Sequence, residues 1–346
     1  MPATIQAAAV GLLGGVLLGL AARLGRFCTL GAIEDVLYQG SDLRLRMWAL
    51  AIGVAMAGSF ALMAAGVLVP SQIAYLSTGW NPAASITGGL VFGYGMALAG
   101  MCGYGALARL GGGDIRAFVI AVVMGLSAHI TLSGPLARAR LWLFPADAFD
   151  GPGGYAHALT AGEATSAAIP GMAIGLMIIA AALASRQLLS STKSVAWAVA
   201  VGIAVLSGWA GMSHVSYESF GAVSVVTHTY AEPIGESLIY LMTASGTSLS
   251  FAVGSVIGVI AGAALGSFFS GQFRWEACDD PRELRRQIVG AMLMGVGAAV
   301  AGGCTVGQGI SAMSVLAYGA PLTLAGIMIG AAFGLRQLIV GFASRH

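Results

Sequence analysis

ITGGLVFGYGMALAGMCGYG, residues 86–105, returns 202 residues later as IVGAMLMGVGAAVAGGCTVG, residues 288–307, without a gap. Ile86, Gly88, Gly93, Gly95, Ala97, Gly100, Cys102 and Gly105 recur as Ile288, Gly290, Gly295, Gly297, Ala299, Gly302, Cys304 and Gly307. Eight identities in 20 positions, the cysteine among them, favour duplication over generic Gly/Ala packing. A duplicated apolar unit with a thiol at matched positions predicts a pathway near the middle of a transporter or channel. A third cysteine, Cys28, lies in RFCTLGA near the end of the first apolar segment.

Composition sets the class. Hydrophobic residues make up 58% and charged residues 9%, against about 25% charged in a soluble chain. The 52 glycines have no triplet period. In a bilayer, glycine lets helix backbones approach closely and lets the chain break beside a cavity. A net charge of +2 without a basic patch gives no support for nucleic-acid binding. The N-terminus lacks a basic segment and reads as a retained first helix. Four cysteines without a CxxC pair form neither a disulfide framework nor a zinc site, and nothing calls for a metal or another cofactor. No catalytic constellation is visible, so the chain does not read as an enzyme.

The expected fold is all-α and polytopic, in the lipid bilayer. A crossing helix needs roughly 20 apolar residues. Nine stretches qualify: 5–22, 47–69, 85–101, 117–134, 169–185, 195–212, 250–271, 288–303 and 321–341. Shorter apolar stretches at 28–38, 102–110, 216–226, 237–246 and 305–318 read as re-entrant half-helices. An outside N-terminus and cytoplasmic C-terminus put fourteen of the 16 Lys and Arg residues inside, leaving only Arg138 and Arg140 outside. All 346 residues then form one membrane domain: a half at 1–140, a linking span at 165–190 and a second half at 194–346. The linking span reverses the second half, which makes the repeat an inverted one.

Each of the three cysteines stands at a glycine-marked break. A half-helix after such a break aims free N–H groups and its dipole into the gap, where they attract anions. A nearby dianion disfavours thiolate formation. The thiol then stays protonated and acts as a weak S–H donor suited to polarizable substrate sulfur. Several weak sites in series suit permeation, because the ion must also leave. Cys278, in the charged stretch RWEACDDPREL, reads as incidental.

RFCTLGAIED, GMCGYGALARLGGG and GGCTVGQGIS resemble the three cysteine motifs of the YeeE/YedE family of bacterial thiosulfate uptake proteins. The resemblance covers nearly the whole chain in motif order, spacing and span pattern. It implies nine spanning helices plus short re-entrant helices, with concave openings on both faces. It also implies that Cys28, Cys102 and Cys304 contact thiosulfate at a constriction in the inner membrane. A cytoplasmic TusA-like sulfurtransferase is the implied partner, and some relatives are linked to selenium or other sulfur compounds.

Around these motifs, Thr305 follows Cys304, and Gln308, one turn on, is placed to donate to substrate oxygen. Glu34 and Asp35 are expected to pair with Arg23, Arg26 or Arg44 rather than line an anion path. Glu218 falls opposite Cys28 at an offset of 190, on a thin alignment, and is an intramembrane acid on that reading. His214 and His228 are expected to be held by local hydrogen bonds. A membrane thiol-disulfide oxidoreductase is the rival class. It would need two thiols with Cα atoms within about 7 Å.

Overall fold

The computed structural model describes residues 2–146, 152–160, 164–276 and 280–340. They form helices and connecting turns, with three isolated backbone bridges. The first part of the chain runs α1 (Ala3–Leu24), α2 (Thr29–Glu34) with a π-helical turn Asp35–Gln39, α3 (Leu43–Ala64), the short α4 (Ala74–Ser77), α5 (Pro82–Ala99), α6 (Gly103–Gly111) and α7 (Ile115–Leu132). Short helices α8 (Ala137–Leu143) and α9 (Tyr155–Leu159) lead to α10 (Ala164–Leu183) and α11 (Arg186–Leu189). Then follow α12 (Thr192–Glu218), α13 (Ala231–Thr243), α14 (Phe251–Phe269), α15 (Pro281–Ala301), a π-helical turn Gly307–Ala312 and α16 (Gly319–Val340).

Eight helical stretches among the described residues are long and apolar enough to cross a membrane, and Ala167–Leu183 of α10 is a shorter apolar helix. Together they lie at the nine stretches expected from the sequence. The protein is therefore a polytopic helical membrane protein. Helix starts follow local chemistry. The Asn81 side chain accepts the Ala84 N–H at 3.2 Å with Pro82 as first helical residue, and Ser250 accepts from Val253 at 3.3 Å. Helices α5 and α15 stop at Gly100 (φ 73°) and Gly302 (φ 72°), left-handed positions that suit glycine at a helix end.

Two of the shorter stretches differ from expectation. At 216–226 there is no half-helix, because α12 continues to Glu218 and the chain then turns through Phe220 (φ 52°) and Gly221 (φ 80°). The next half-helix starts at Ala231, not 237.

Glycine faces set the packing. A Cβ at Gly11, Gly15 or Gly19 of α1 would stand 2.2–2.4 Å from the carbonyl oxygens of Phe251, Ser255 and Val259 on α14. The reverse holds for Gly254, Gly258 and Gly262 against Ala8, Leu12 and Val16. Helix α5 meets α16 in the same way through Gly89, Gly93 and Gly330. Without a hydrophobic drive between helices in lipid, such close backbone approach supplies the van der Waals contact that holds them.

The α5–α15 seam is reciprocal. A Cβ at Gly88 would lie 2.7 Å from the Gly297 oxygen, and one at Gly297 would lie 2.7 Å from the Gly88 oxygen. Gly95 and Gly290 relate likewise, at 2.6 Å each way. Gly88 matches Gly290 in sequence and Gly95 matches Gly297, so each glycine meets the other's counterpart. Mutual exchange of this kind is what a twofold contact between equivalent surfaces produces.

Candidate functional site

The three cysteines share one local geometry. Each is the N-cap of a short helix, and each sulfur accepts the N–H of a glycine three residues on. The distances are 3.5 Å for Cys28 and Gly31, 3.4 Å for Cys102 and Gly105, and 3.4 Å for Cys304 and Gly307. In each case the cysteine carbonyl also accepts the N–H of the fourth residue on, closing the first turn. The recurring Cys-x-x-Gly is thus a cap in which sulfur replaces the usual side-chain oxygen.

Folding brings the three together. Cys28 and Cys304 both lie within electrostatic range of the Cys102 sulfur, and the Thr305 hydroxyl sits beside Cys102. That hydroxyl is buried and reaches full hydrogen-bond geometry with no described group. Cys102 and Cys304 are each 1% exposed, whereas Cys28 is half-buried. Cys304 holds the densest set of contacts. Its sulfur accepts the Tyr230 N–H at 3.3 Å and touches the Thr229 hydroxyl at 3.6 Å. Tyr230 caps α13, so that half-helix also points its N-terminus at the thiols.

Aromatic rings brace this cluster. The Tyr104 and Tyr230 rings stand 5.5 Å apart, and both side chains are fully buried. The Tyr104 hydroxyl donates to the Leu18 carbonyl at 2.6 Å, and the Tyr230 hydroxyl accepts from Ser255 at 3.2 Å. Ser255 is bonded in turn to His228 Nδ1 at 2.7 Å, so this histidine is held locally as expected. On the side of Cys28, Arg44 pairs with Asp35 at 3.2 Å and its guanidinium fills the space beside Gly31. Asp35 is thus held by one of its expected arginines.

Beside the break at Cys304 lies a vestibule of about 320 Å³, at the lower end of the roughly 300–1,000 Å³ typical of small-ligand pockets; none of the three cysteines lines it. Its wall includes Tyr75, Trp80, Asn81, Arg140, Thr229 and Glu232, and it reaches Gly302, Gly303 and Gln308. Gln308 is 5% exposed and donates Nε2 to the Gly302 carbonyl at 2.8 Å, closing the break beside Cys304. Its Oε1 has no hydrogen-bond partner among the described residues. Gln308 thus stands between vestibule and thiol rather than beside the sulfur.

Glu218 is exposed and pairs with His214 at 3.3 Å, apart from the contacts of the three thiols. Cys278 lies outside the described residues. Thr229, Tyr230, Tyr75 and Glu232 were not singled out from the sequence. The signal for Tyr230 is its place before a glycine-containing half-helix, which mirrors the place of each cysteine.

Polytopic helices, glycine seams and half-helices converging on buried thiols define a membrane transporter. The chain matches the Sulphur transport family over residues 24–333 and belongs to it. It is 28% identical over 326 residues to a thiosulfate transporter, TsuA, of Spirochaeta thermophila, covering 89% of this chain and 92% of that protein. It is 26% identical over 342 residues to TsuA of Escherichia coli, covering 92% and 91%.

Proposed function

We propose that this protein imports thiosulfate across the bacterial inner membrane, through a throat formed by Cys28, Cys102 and Cys304 with Thr305 and Gln308. The observation that carries this reading is the convergence of three sulfur-capped half-helices, with a vestibule that reaches Gly302, Gly303 and Gln308 beside the Cys304 cap. Sulfur that already accepts a backbone N–H keeps its S–H for an outside acceptor. The two thiosulfate-transporting relatives support the substrate. Another sulfur or selenium compound is the second reading, since thiols favour polarizable atoms generally.

The reciprocal glycine contacts support an inverted repeat of halves 1–140 and 194–346 joined by a span at 165–190, in one membrane domain. The arginine distribution supports an outside N-terminus, a cytoplasmic C-terminus and an outward-facing vestibule. A dianion entering against about 100 mV, inside negative, pays roughly 4.6 kcal/mol. A cytoplasmic TusA-like sulfurtransferase that consumes the ion would draw it inward. Uptake of labelled thiosulfate into sealed proteoliposomes tests the function. Wild-type vesicles that accumulate none would remove it.

External pH should tune this uptake. Glu232 is exposed on the vestibule wall, where partial desolvation by the surrounding walls raises its carboxyl above the usual range. Glu236 on the same helix raises it further, and His129 on α7 partly offsets the shift. The raised group becomes neutral at a pH where ordinary carboxylates stay charged. A neutral wall repels an arriving dianion less, so uptake should rise as external pH falls from neutral to mildly acidic. Glu232→Gln should give a faster and flatter profile. A wild-type pH profile kept by Glu232→Gln would assign the titration elsewhere.

A further inference from the structure

Among the described residues the wall of the vestibule carries one cation, and none of them answers it. Arg140 belongs to the short helix α8, is half-buried and lines the cavity. Its Nε is buried with no hydrogen-bond partner among the described residues, and no described carboxylate pairs with it. Four other guanidinium groups are held by partners. Arg23 Nε donates to Ser267 at 2.7 Å, and Arg44, Arg46 and Arg116 meet Asp35, Asp42 and Asp114. A guanidinium that lines a cavity without a carboxylate beside it holds a charge that an arriving oxyanion can answer.

The neighbouring donors are already committed. Trp80 Nε1 donates to Ser85 at 2.8 Å. Asn81 Nδ2 donates to the Pro145 carbonyl at 2.7 Å, which ties the segment after α8 to the start of α5. That tie holds the Arg140 segment against the cavity wall. Glu232, two residues past the N–H that grips Cys304, is the only carboxylate among the described lining residues. Among the described residues, the cavity therefore carries one unanswered positive charge and, toward Cys304, one negative charge.

We infer that Arg140 is the capture site of the vestibule, where a sulfur oxyanion docks on the guanidinium before it reaches the thiols. The inference rests on the transport reading. Guanidinium N–H groups match two oxyanion oxygens at once. They recognise oxygen and charge, which sulfate and thiosulfate share. Arg140 thus sets how tightly oxyanions are collected, and the thiols set which of them passes.

The test is uptake by proteoliposomes holding wild type, Arg140→Gln, Arg140→Lys or Arg138→Gln. Arg140→Gln should raise the half-saturating thiosulfate concentration about tenfold or more with little change in maximal rate. It should also weaken inhibition by sulfate in parallel and flatten the dependence of half-saturation on ionic strength. Arg140→Lys should restore part of the affinity, and Arg138→Gln should behave as wild type. Unchanged half-saturation and salt dependence in Arg140→Gln would overturn the assignment and leave the transport reading standing. A fall in maximal rate alone would also overturn it. Wild-type vesicles that move no thiosulfate would overturn the transport reading and this assignment with it.

Discussion

Cys304→Ala is expected to abolish thiosulfate uptake while the protein remains folded in the membrane. The Cys304 sulfur accepts N–H groups from Tyr230 and Gly307 and lies against the Thr229 hydroxyl. Two N–H groups occupy its acceptor side, and its one hydrogen can turn either to the Thr229 oxygen or to the ion. Losing a hydrogen bond to a charged partner costs roughly 1.5–3 kcal/mol, about ten- to a hundredfold in occupancy of that step. Losing the N-cap costs a further ~1 kcal/mol of local stability, too little to unfold a bundle held by its glycine seams. Cys304→Ser separates the two effects, because it keeps a cap and an O–H donor but removes soft sulfur. Uptake rates alongside size-exclusion profiles in detergent would decide. A monodisperse Cys304→Ala protein with wild-type uptake would end the thiol mechanism.

Gly95→Ala should be a strongly damaging single-methyl change at the seam between the two repeats. Its Cβ would stand 2.6 Å from the Gly290 carbonyl oxygen and 2.8 Å from the Met294 nitrogen, both backbone atoms that no rotamer change can move. Overpacking of this kind costs ~1–3 kcal/mol and more where the neighbour is rigid. Helices α5 and α15 would have to separate along the seam that leads to Cys102 and Cys304. Gly66→Ala is the control. Gly66 has φ 71° and nothing within 4 Å of an added Cβ, so only backbone strain of ~1 kcal/mol applies. Thermal unfolding in detergent should show a large drop for Gly95→Ala and a small one for Gly66→Ala. Equal drops would mean that backbone contact does not hold the seam.

The spanning helices were legible because bilayer length and hydropathy act on whole segments, and folding does not rearrange them. The cysteine breaks were legible because glycine and cysteine recur together at a fixed offset. The hold on Cys304 was not. Tyr230 grips the sulfur with its backbone N–H, and every residue except proline offers that group, so residue type carries no trace of it. The stretch at 216–226 misled for a related reason. Its apolar character resembles a half-helix, but Phe220 and Gly221 turn the chain into positive φ. Gln308 was placed near the substrate by helical spacing alone. Spacing cannot show that one of its amide N–H groups is already given to the Gly302 carbonyl. Arg140 was visible as one of two outlying cations, but whether a charge has a partner is decided only by the folded chain.

The glycine seams also bear on how the protein moves. Helices locked carbonyl to Cα along α1–α14, α5–α15 and α5–α16 have no lubricating side chains between them. They cannot slide or rock past one another without breaking contacts along the whole length at once. Opening then falls to the short capped half-helices and to the Gln308 latch, whose release costs a single hydrogen bond. A machine with a stiff frame and small shutters works by flicker rather than by swinging its halves. Its turnover should therefore follow the lifetime of that latch, with little sensitivity to bilayer thickness.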